Sequence, residues 1–393
     1  TMGSTFQSVM LDDEGNTYIA GGAQIRKVDP SGIITLVDSS LGATRSVAMD
    51  GAGNLYVSSG TVVTKVDAEG NATIIAGNFE DGRGYNGDGI PGNEAQLNNS
   101  WEIDVDAAGN VYIADWINNR IRRVDAKTGI ISTVAGNGER EFGGDGGQAT
   151  QAQLNRPRGV FVDAEGNIYI GEASNHRVRK VDAETGNITT VAGTGQEGSS
   201  GDGELATDAQ LNNPYGVVVD GSGNLYIADR SNRRVRKVDT DGIITTVAGG
   251  GEDRTANGVL ATEARLLSNP SRVDVDGSGN LYIANANVIS KVDTDGIITT
   301  VVGGGSDIGV EEGPATDAVL AANNGGLAVD GSGNLYIADL GHARVRKVDP
   351  SGNISTFAGN GINEHFGDGG LATDASLASI QYIGPQKLDH SLS

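Results

Sequence analysis

The sequence predicts an all-β fold, a seven-bladed β-propeller with four antiparallel strands per blade and short helical turns in the connectors between blades. Three observations predict it. The string Gly-Asn-x-Tyr starts at Gly15, Gly53, Gly109, Gly166, Gly223, Gly279 and Gly333. Successive spacings are 38, 56, 57, 57, 56 and 54 residues, so seven copies of one unit fill the chain. Each unit holds short β-branched runs between Asp, Gly and Asn turn signals, with no long helical period. A lone four-stranded sheet cannot bury both apolar faces, and radial repetition covers each with a neighbour. A linear β-solenoid expects far shorter coils and no hairpin signals. The expected blades are residues 5–40, 44–78, 101–137, 157–194, 215–250, 271–304 and 325–360 of a single domain spanning 1–393.

The unit from Tyr215 to Gly249 shows the elements in order. Residues 217–219 form strand a, which ends in Asp220; Asp220-Gly221-Ser222-Gly223-Asn224 then tolerates a tight turn. Residues 225–228 make strand b, 229–233 a polar loop, and 235–238 strand c. Asp239 to Gly242 turns the chain into strand d, 243–248, rich in β-branched residues. Strand a ends in Asp12, Asp50, Asp106, Asp163, Asp220, Asp276 and Asp330, which reads as turn capping. The d–a connectors carry Gly-Asp-Gly and then Ala-Thr-x-Ala-x-Leu at 145–154, 202–211 and 368–377, with degenerate copies ending at Leu97, Leu266 and Leu320. Thr or Asp is expected to cap a helical turn there, with the Leu pointing inward. The connector from Asp38 to Arg45 lacks this insert. Residues 361–393 continue as a connector, and the stretch from Leu377 to Asp389 imitates a further strand a, expected to close the ring.

The segments GVVVDGSGNLYIADRSNRRVRKVD from Gly216 and GVFVDAEGNIYIGEASNHRVRKVD from Gly159 resemble the NHL repeat. The connectors VAGNGEREFGGDGGQATQAQLNRP from Val134 and VAGTGQEGSSGDGELATDAQLNNP from Val191 are similar to those of bacterial and teneurin-type NHL proteins. The resemblance implies a propeller. Such propellers host protein-binding, RNA-binding and lyase or hydrolase functions, so the fold leaves the activity open.

Composition narrows the classes. With 28 Lys plus Arg against 51 Asp plus Glu, the net charge of −23 opposes nucleic acid, anionic membrane and self-association, giving an expected monomer. No Cys is present, which removes disulfides and thiolate chemistry. No apolar run approaches the ~18 residues a membrane span needs. The start, Thr1-Met2-Gly3-Ser4, has no signal-peptide pattern. The expected setting is extracellular, periplasmic or at a bacterial cell surface.

Strand parity separates two faces. The a–b and c–d turns form a bottom, and the b–c loops with the long d–a connectors are expected to gather on top, where varied segments bind partners. Both Trp residues map there, Trp101 at the entry to strand a and Trp116 in a b–c loop. Arg158 and Tyr215 occupy the Trp101 position in the next two blades. This rim suits a sugar or an aromatic-bearing peptide, through stacking and a charge-assisted contact. Packing against neighbouring inserts is the competing reading. Of the four His, His176 and His342 lie in b–c loops, His365 in the last insert and His390 in the tail, so convergence on a zinc ion is not expected. Asp104 and Asp274 interrupt apolar strands where other units have Phe161 or Val218, and call for a metal or a partner such as Arg272 or Arg158. Connector acids (Glu139, Glu141 and Asp145; Glu197, Asp202 and Glu204) offer a weak Ca²⁺ option without matching the D-x-[DN]-x-[DN]-G loop. The strand c cations, such as Arg120, Arg122, Arg177, Arg179, Arg344 and Arg346, fit cross-blade salt bridges on exposed strands. No catalytic residue, cofactor or metal ligand is assigned. The expected function is a non-catalytic propeller recognising a protein or carbohydrate on its top face; the alternative is a metal-assisted lyase or hydrolase at the mouth of the central channel.

Overall fold

The computed structural model describes residues 8–377, apart from 13, 22–23, 40–43, 79–81, 254–256, 271–272, 277, 286, 307–311, 322–325 and 331. Seven sheets follow one another along the chain, each built from four antiparallel strands a to d. In blade 4 these are Gly159–Val162, Ile168–Glu172, Arg177–Val181 and Ile188–Ala192. In blade 5 they are Pro214–Val219, Leu225–Asp229, Arg234–Val238 and Ile244–Gly249. Strand a of blade 1, Ser8–Leu11, touches that of blade 2, Ser46–Met49, and that of blade 7, Leu327–Val329, which closes the ring.

The core lies between blades. One cluster joins Tyr112, Ala114 and Ile121 of blade 3 to Val160, Ile170 and Ile188 of blade 4. Another joins Val9, Ile19 and Ile34 of blade 1 to Tyr336 and Val345 of blade 7 and to Leu377 after it. The turn acids behave as the sequence predicts. Asp220 accepts N–H groups from Ser222 and Asn224 at 2.9 Å, the Asn224 side chain at 2.8 Å and the Tyr226 hydroxyl at 3.2 Å. Each described blade also has a register shift between strands c and d, as between Val178 and Arg179 or Val235 and Arg236. That bulge, which periodicity does not announce, gives two successive buried residues on strand c.

The connectors differ from the expectation that they crowd the top. The long connectors leave the top of one blade and descend along the outer edge of the next. Between blades 3 and 4, Gly146 N–H donates to Ile188 O at 2.8 Å and Ala149 N–H to Gly186 O at 2.9 Å, at the bottom turn of blade 4. The short 3₁₀ turn Ala149–Gln151 has no side-chain cap, contrary to the expected Thr or Asp cap, because these backbone bonds already hold it. Leu154 and Leu211 are fully buried, as expected of inward plugs. Elsewhere the connector lays a fifth strand on the edge, as Ile90–Pro91 does on blade 3. The outer strands that receive a long connector are thus covered, which blunts their pairing edges. Blade 1 receives the same staple from the chain after blade 7: Ile34 N–H donates to Gly370 O at 3.0 Å and Ala372 N–H to Gly32 O at 2.8 Å. The expected closing strand beyond Leu377 lies outside the described residues, as does His390.

The strand c arginines correct a second expectation. Arg122, Arg179 and Arg236 are fully buried rather than exposed. Arg179 lies between Glu172, at 3.2 Å on its own blade, and Asp145, at 2.5 Å on the incoming connector. Arg122 pairs likewise with Asp115 and Asp88, and Arg236 with Asp229 and Asp202. The Gly-Asp-Gly acid is therefore a counter-charge, which fits Thr64 in blade 2, reached by the short connector, and Ser290 in blade 6, whose connector lacks Gly-Asp-Gly, where the other five blades have Arg. Phe142 of the connector adds a ring under Arg177 and Arg179, at 3.7 and 4.9 Å from its centroid.

Where strand d ends, Gly193 has φ +95°, and a Cβ there would stand 2.3 Å from the His176 carbonyl oxygen. Gly193→Ala is expected to cost more than about 1 kcal/mol, since both dihedral and space are wrong for a side chain. Chemical denaturation of the variant checks this.

Candidate ligand-binding rim

Four residues at one repeat position, five before the turn acids Asp50, Asp106, Asp163 and Asp220, start strand a of consecutive blades: Arg45, Trp101, Arg158 and Tyr215. Backbone pairing to strand b fixes them at the top of the inner strands. Arg45 N–H donates to Ser58 O at 2.8 Å, Trp101 N–H to Ala114 O at 2.9 Å and Arg158 N–H to Gly171 O at 3.0 Å. All four side chains are half-buried. Cations and rings alternate along the arc. Arg45 stands 4.8 Å and Arg158 4.3 Å from the Trp101 centroid, and Arg158 stands 4.5 Å from Tyr215. An N–H of Arg158 also donates to the Tyr215 hydroxyl.

The b–c loops add a second tier. Trp116 lies 5.8 Å from Trp101 between ring centroids, tilted by 45°. Arg156, held at φ +53° before strand a of blade 4, and Arg158 each stand 5.0 Å from Trp116. Arg230 stands 4.6 Å from Tyr215. Among the described residues, none of Arg45, Arg156, Arg158 and Arg230 forms an ion pair. Burial lowers the pKa of Arg45, and the charges of Arg83 and Arg158 add to it. Burial likewise lowers that of Arg158, with Tyr215 opposing and Arg230 and Arg156 adding. A half-ring of concentrated positive charge thus sits on a protein of net charge −23.

The structure brings together Trp101, Trp116, Arg158 and Tyr215, and adds Arg45, Arg156 and Arg230, which sequence reasoning missed. Arg45 was legible from its repeat position; the others needed the loop conformations. The remaining candidates stand apart. His176 closes the b–c turn of blade 4 with φ +53°, and its Nδ1 accepts the Asn213 N–H at 3.3 Å. Burial lowers its pKa, with Glu197 opposing. His342 Nδ1 bonds to the buried Asp339 at 2.9 Å, in the place of Asn175 and Asn232 in other blades. Asp104 accepts Val162 N–H at 2.7 Å from blade 4 and Val105 N–H at 2.9 Å, so it links two inner strands. Asp274 is exposed and accepts Val275 N–H at 2.9 Å. Arg158 turns to the rim and pairs with neither; Arg272 lies outside the described residues. Asp145 and Asp202, two of the suggested Ca²⁺ ligands, are committed to Arg179 and Arg236. Among the described residues no group of three or more His, Asp or Glu is arranged to hold a metal ion.

Clefts also open on the bottom, of about 320 Å³ between blades 2 and 3 and about 850 Å³ between blades 4 and 5. Their Tyr, Lys and turn residues (Tyr56 and Lys65; Tyr169 and Lys180) recur in most units, which marks them as scaffold.

Three successive matches to the teneurin NHL domain cover residues 137–200, 194–256 and 249–313. Those matches span the repeat boundaries seen in the structure. The chain is an NHL-repeat β-propeller. Human teneurin-1 is 33% identical over 253 residues, covering 56% of this NHL propeller and 9% of teneurin-1. Human NHL repeat-containing protein 2 is 32% identical over 139 residues, 33% of this chain and 19% of that protein. The Arabidopsis thaliana chloroplastic protein SUPPRESSOR OF QUENCHING 1 is 34% identical over 134 residues, 33% of this chain and 12% of that protein. The NHL propeller therefore spans less than a fifth of each of these relatives. Among solved structures, a streptogramin B lyase superposes with TM-score 0.57 at 13% identity, covering 85% of this chain and 90% of that one. Virginiamycin B lyase from Staphylococcus aureus gives 0.51 at 14% identity, with 80% and 83% covered. Likeness at these identities is one of fold. Among the described residues no helix is long and apolar enough to cross a membrane.

Proposed function

We propose that this NHL propeller is a non-catalytic binding module that recognises a protein or carbohydrate ligand on its top face, as a monomer in an exported or cell-surface setting. One observation carries the reading: Arg45, Trp101, Arg158 and Tyr215 occupy a single repeat position in four consecutive blades and touch one another in sequence. A repeat position filled by large cationic and aromatic side chains on one arc, over a constant scaffold, fits recognition rather than folding. Similarity to teneurins supports the surface setting. The double variant Trp101→Ala, Trp116→Ala, screened with the parent protein against glycan and peptide arrays, tests the proposal. Loss of at least tenfold in affinity for the parent's ligand is expected, with the fold intact by circular dichroism. Unchanged binding would place recognition elsewhere on the propeller.

A further inference from the structure

We infer that the rim over blades 2–5 is an oxyanion site for a compact ligand carrying two or more carboxylate, phosphate or sulfate groups; this rests on the top-face reading above and names the chemistry of that face. Each ring is already flanked by guanidinium groups. Trp101 has Arg45 and Arg158 within 4.8 Å of its centroid, Trp116 has Arg156 and Arg158 at 5.0 Å, and Tyr215 has Arg158 and Arg230 within 4.6 Å. The rings therefore serve as supports that fix the arginines, rather than as free platforms for a sugar face. Fixing the guanidinium by its face leaves its N–H edge for the ligand. Arg158 spends one N–H on Tyr215, and no side-chain hydrogen bond from Arg45, Arg156 or Arg230 occurs among the described residues.

The inventory of polar groups decides between ligand chemistries. A neutral saccharide presents hydroxyls that both donate and accept, and its sites pair donors with carboxylate or amide acceptors. This rim is made almost wholly of donors, since Arg and Trp only donate. Glu102, the carboxylate next to Trp101, points to blade 4, where a Cβ on Gly159 would stand 3.3 Å from its Oε2. Neighbouring guanidinium groups that lack a counter-ion repel one another, and an anion seated between them relieves that repulsion while accepting bidentate bonds. A long polyanion is disfavoured, because beyond the rim it meets a protein of net charge −23. The compact multivalent anion remains.

Citrate and inorganic pyrophosphate, titrated at constant ionic strength against the intrinsic Trp fluorescence, test this directly, because both Trp residues of the chain lie in the rim. A saturable change is expected, weakened by added NaCl. Arg158→Gln and Arg45→Gln should each raise the dissociation constant by about tenfold or more, with Arg158→Lys in between. Should Arg158→Gln fail to fold, Arg230→Gln tests the same contact from the loop tier. No saturable response to either anion overturns the inference, as does heparin binding more tightly than both. Neutral glycan or uncharged peptide binding that needs Trp101 and ignores Arg158→Gln overturns it while leaving the top-face reading intact. Ligand binding indifferent to every rim variant overturns both.

Discussion

Arg179→Ala is expected to destabilise the propeller by about 3–5 kcal/mol, since it strips the counter-charge from a fully buried carboxylate. Arg179 and Glu172 have no exposed side-chain surface, whereas the second partner, Asp145, is partly exposed and can return to water. Burial pushes the Glu172 carboxyl up to about 7, with Arg179 pulling it back and the Asn155 N–H and Asn175 side chain adding to that pull. Removing Arg179 lets burial act unopposed, so the folded-state pKa climbs further. A carboxyl whose folded pKa exceeds its unfolded value lowers stability as pH rises from the unfolded pKa to the folded one, and no further. The gap between parent and variant is therefore expected to be smaller at pH 5 and to widen above about pH 7. Denaturant titrations at pH 5 and pH 8 measure it. Arg179→Met combined with Glu172→Gln should recover much of the loss, because it removes both charges. A loss that is pH-independent and unrelieved by the double variant would mean that packing, not charge, is what Arg179 supplies.

Leu211→Ala is expected to cost about 2–5 kcal/mol through the cavity it leaves. Leu211 is fully buried among Val178, Ala192, Ile227 and Ile244, so it ties the connector to blades 4 and 5 at once. The connector's backbone bonds to blade 5, such as Ala206 N–H to Gly242 O at 2.8 Å, depend on that anchor. Amide hydrogen exchange of blade 5 strand d should accelerate in the variant, while blades 1 and 2 on the other side of the ring keep their protection. Uniform acceleration around the ring would show that the blades unfold as one unit.

Much of this architecture was legible because the repeat states each rule several times. Seven turn acids at one position predicted the caps formed by Asp220 and its counterparts, and the Leu of each connector predicted its own burial. Two features were hidden for physical reasons. The c–d bulge turns Arg179 inward, and alternation in RVRKV gives no sign of it, so buried charge networks read as exposed stripes. The connectors read as top-face loops because sequence shows their ends and not their path; only the backbone bonds to Gly186 and Ile188 reveal the descent. For the rim, aligning the units on the turn acid would have added Arg45 to Trp101, Arg158 and Tyr215. The contacts of Arg156 and Arg230 depend on loop conformations such as the positive φ at Arg156, which a sequence does not display.

This acidic protein concentrates guanidinium groups, without carboxylate partners among the described residues, around its two Trp residues, on one arc of the top face. Quenching of Trp fluorescence by iodide and by caesium ions tests this most directly, without any ligand. Relative to free N-acetyltryptophanamide, iodide is expected to quench these Trp residues more strongly than caesium, and Arg45→Gln with Arg158→Gln to reverse the order. Stronger quenching by caesium in the parent protein, as a net charge of −23 alone would dictate, would contradict it.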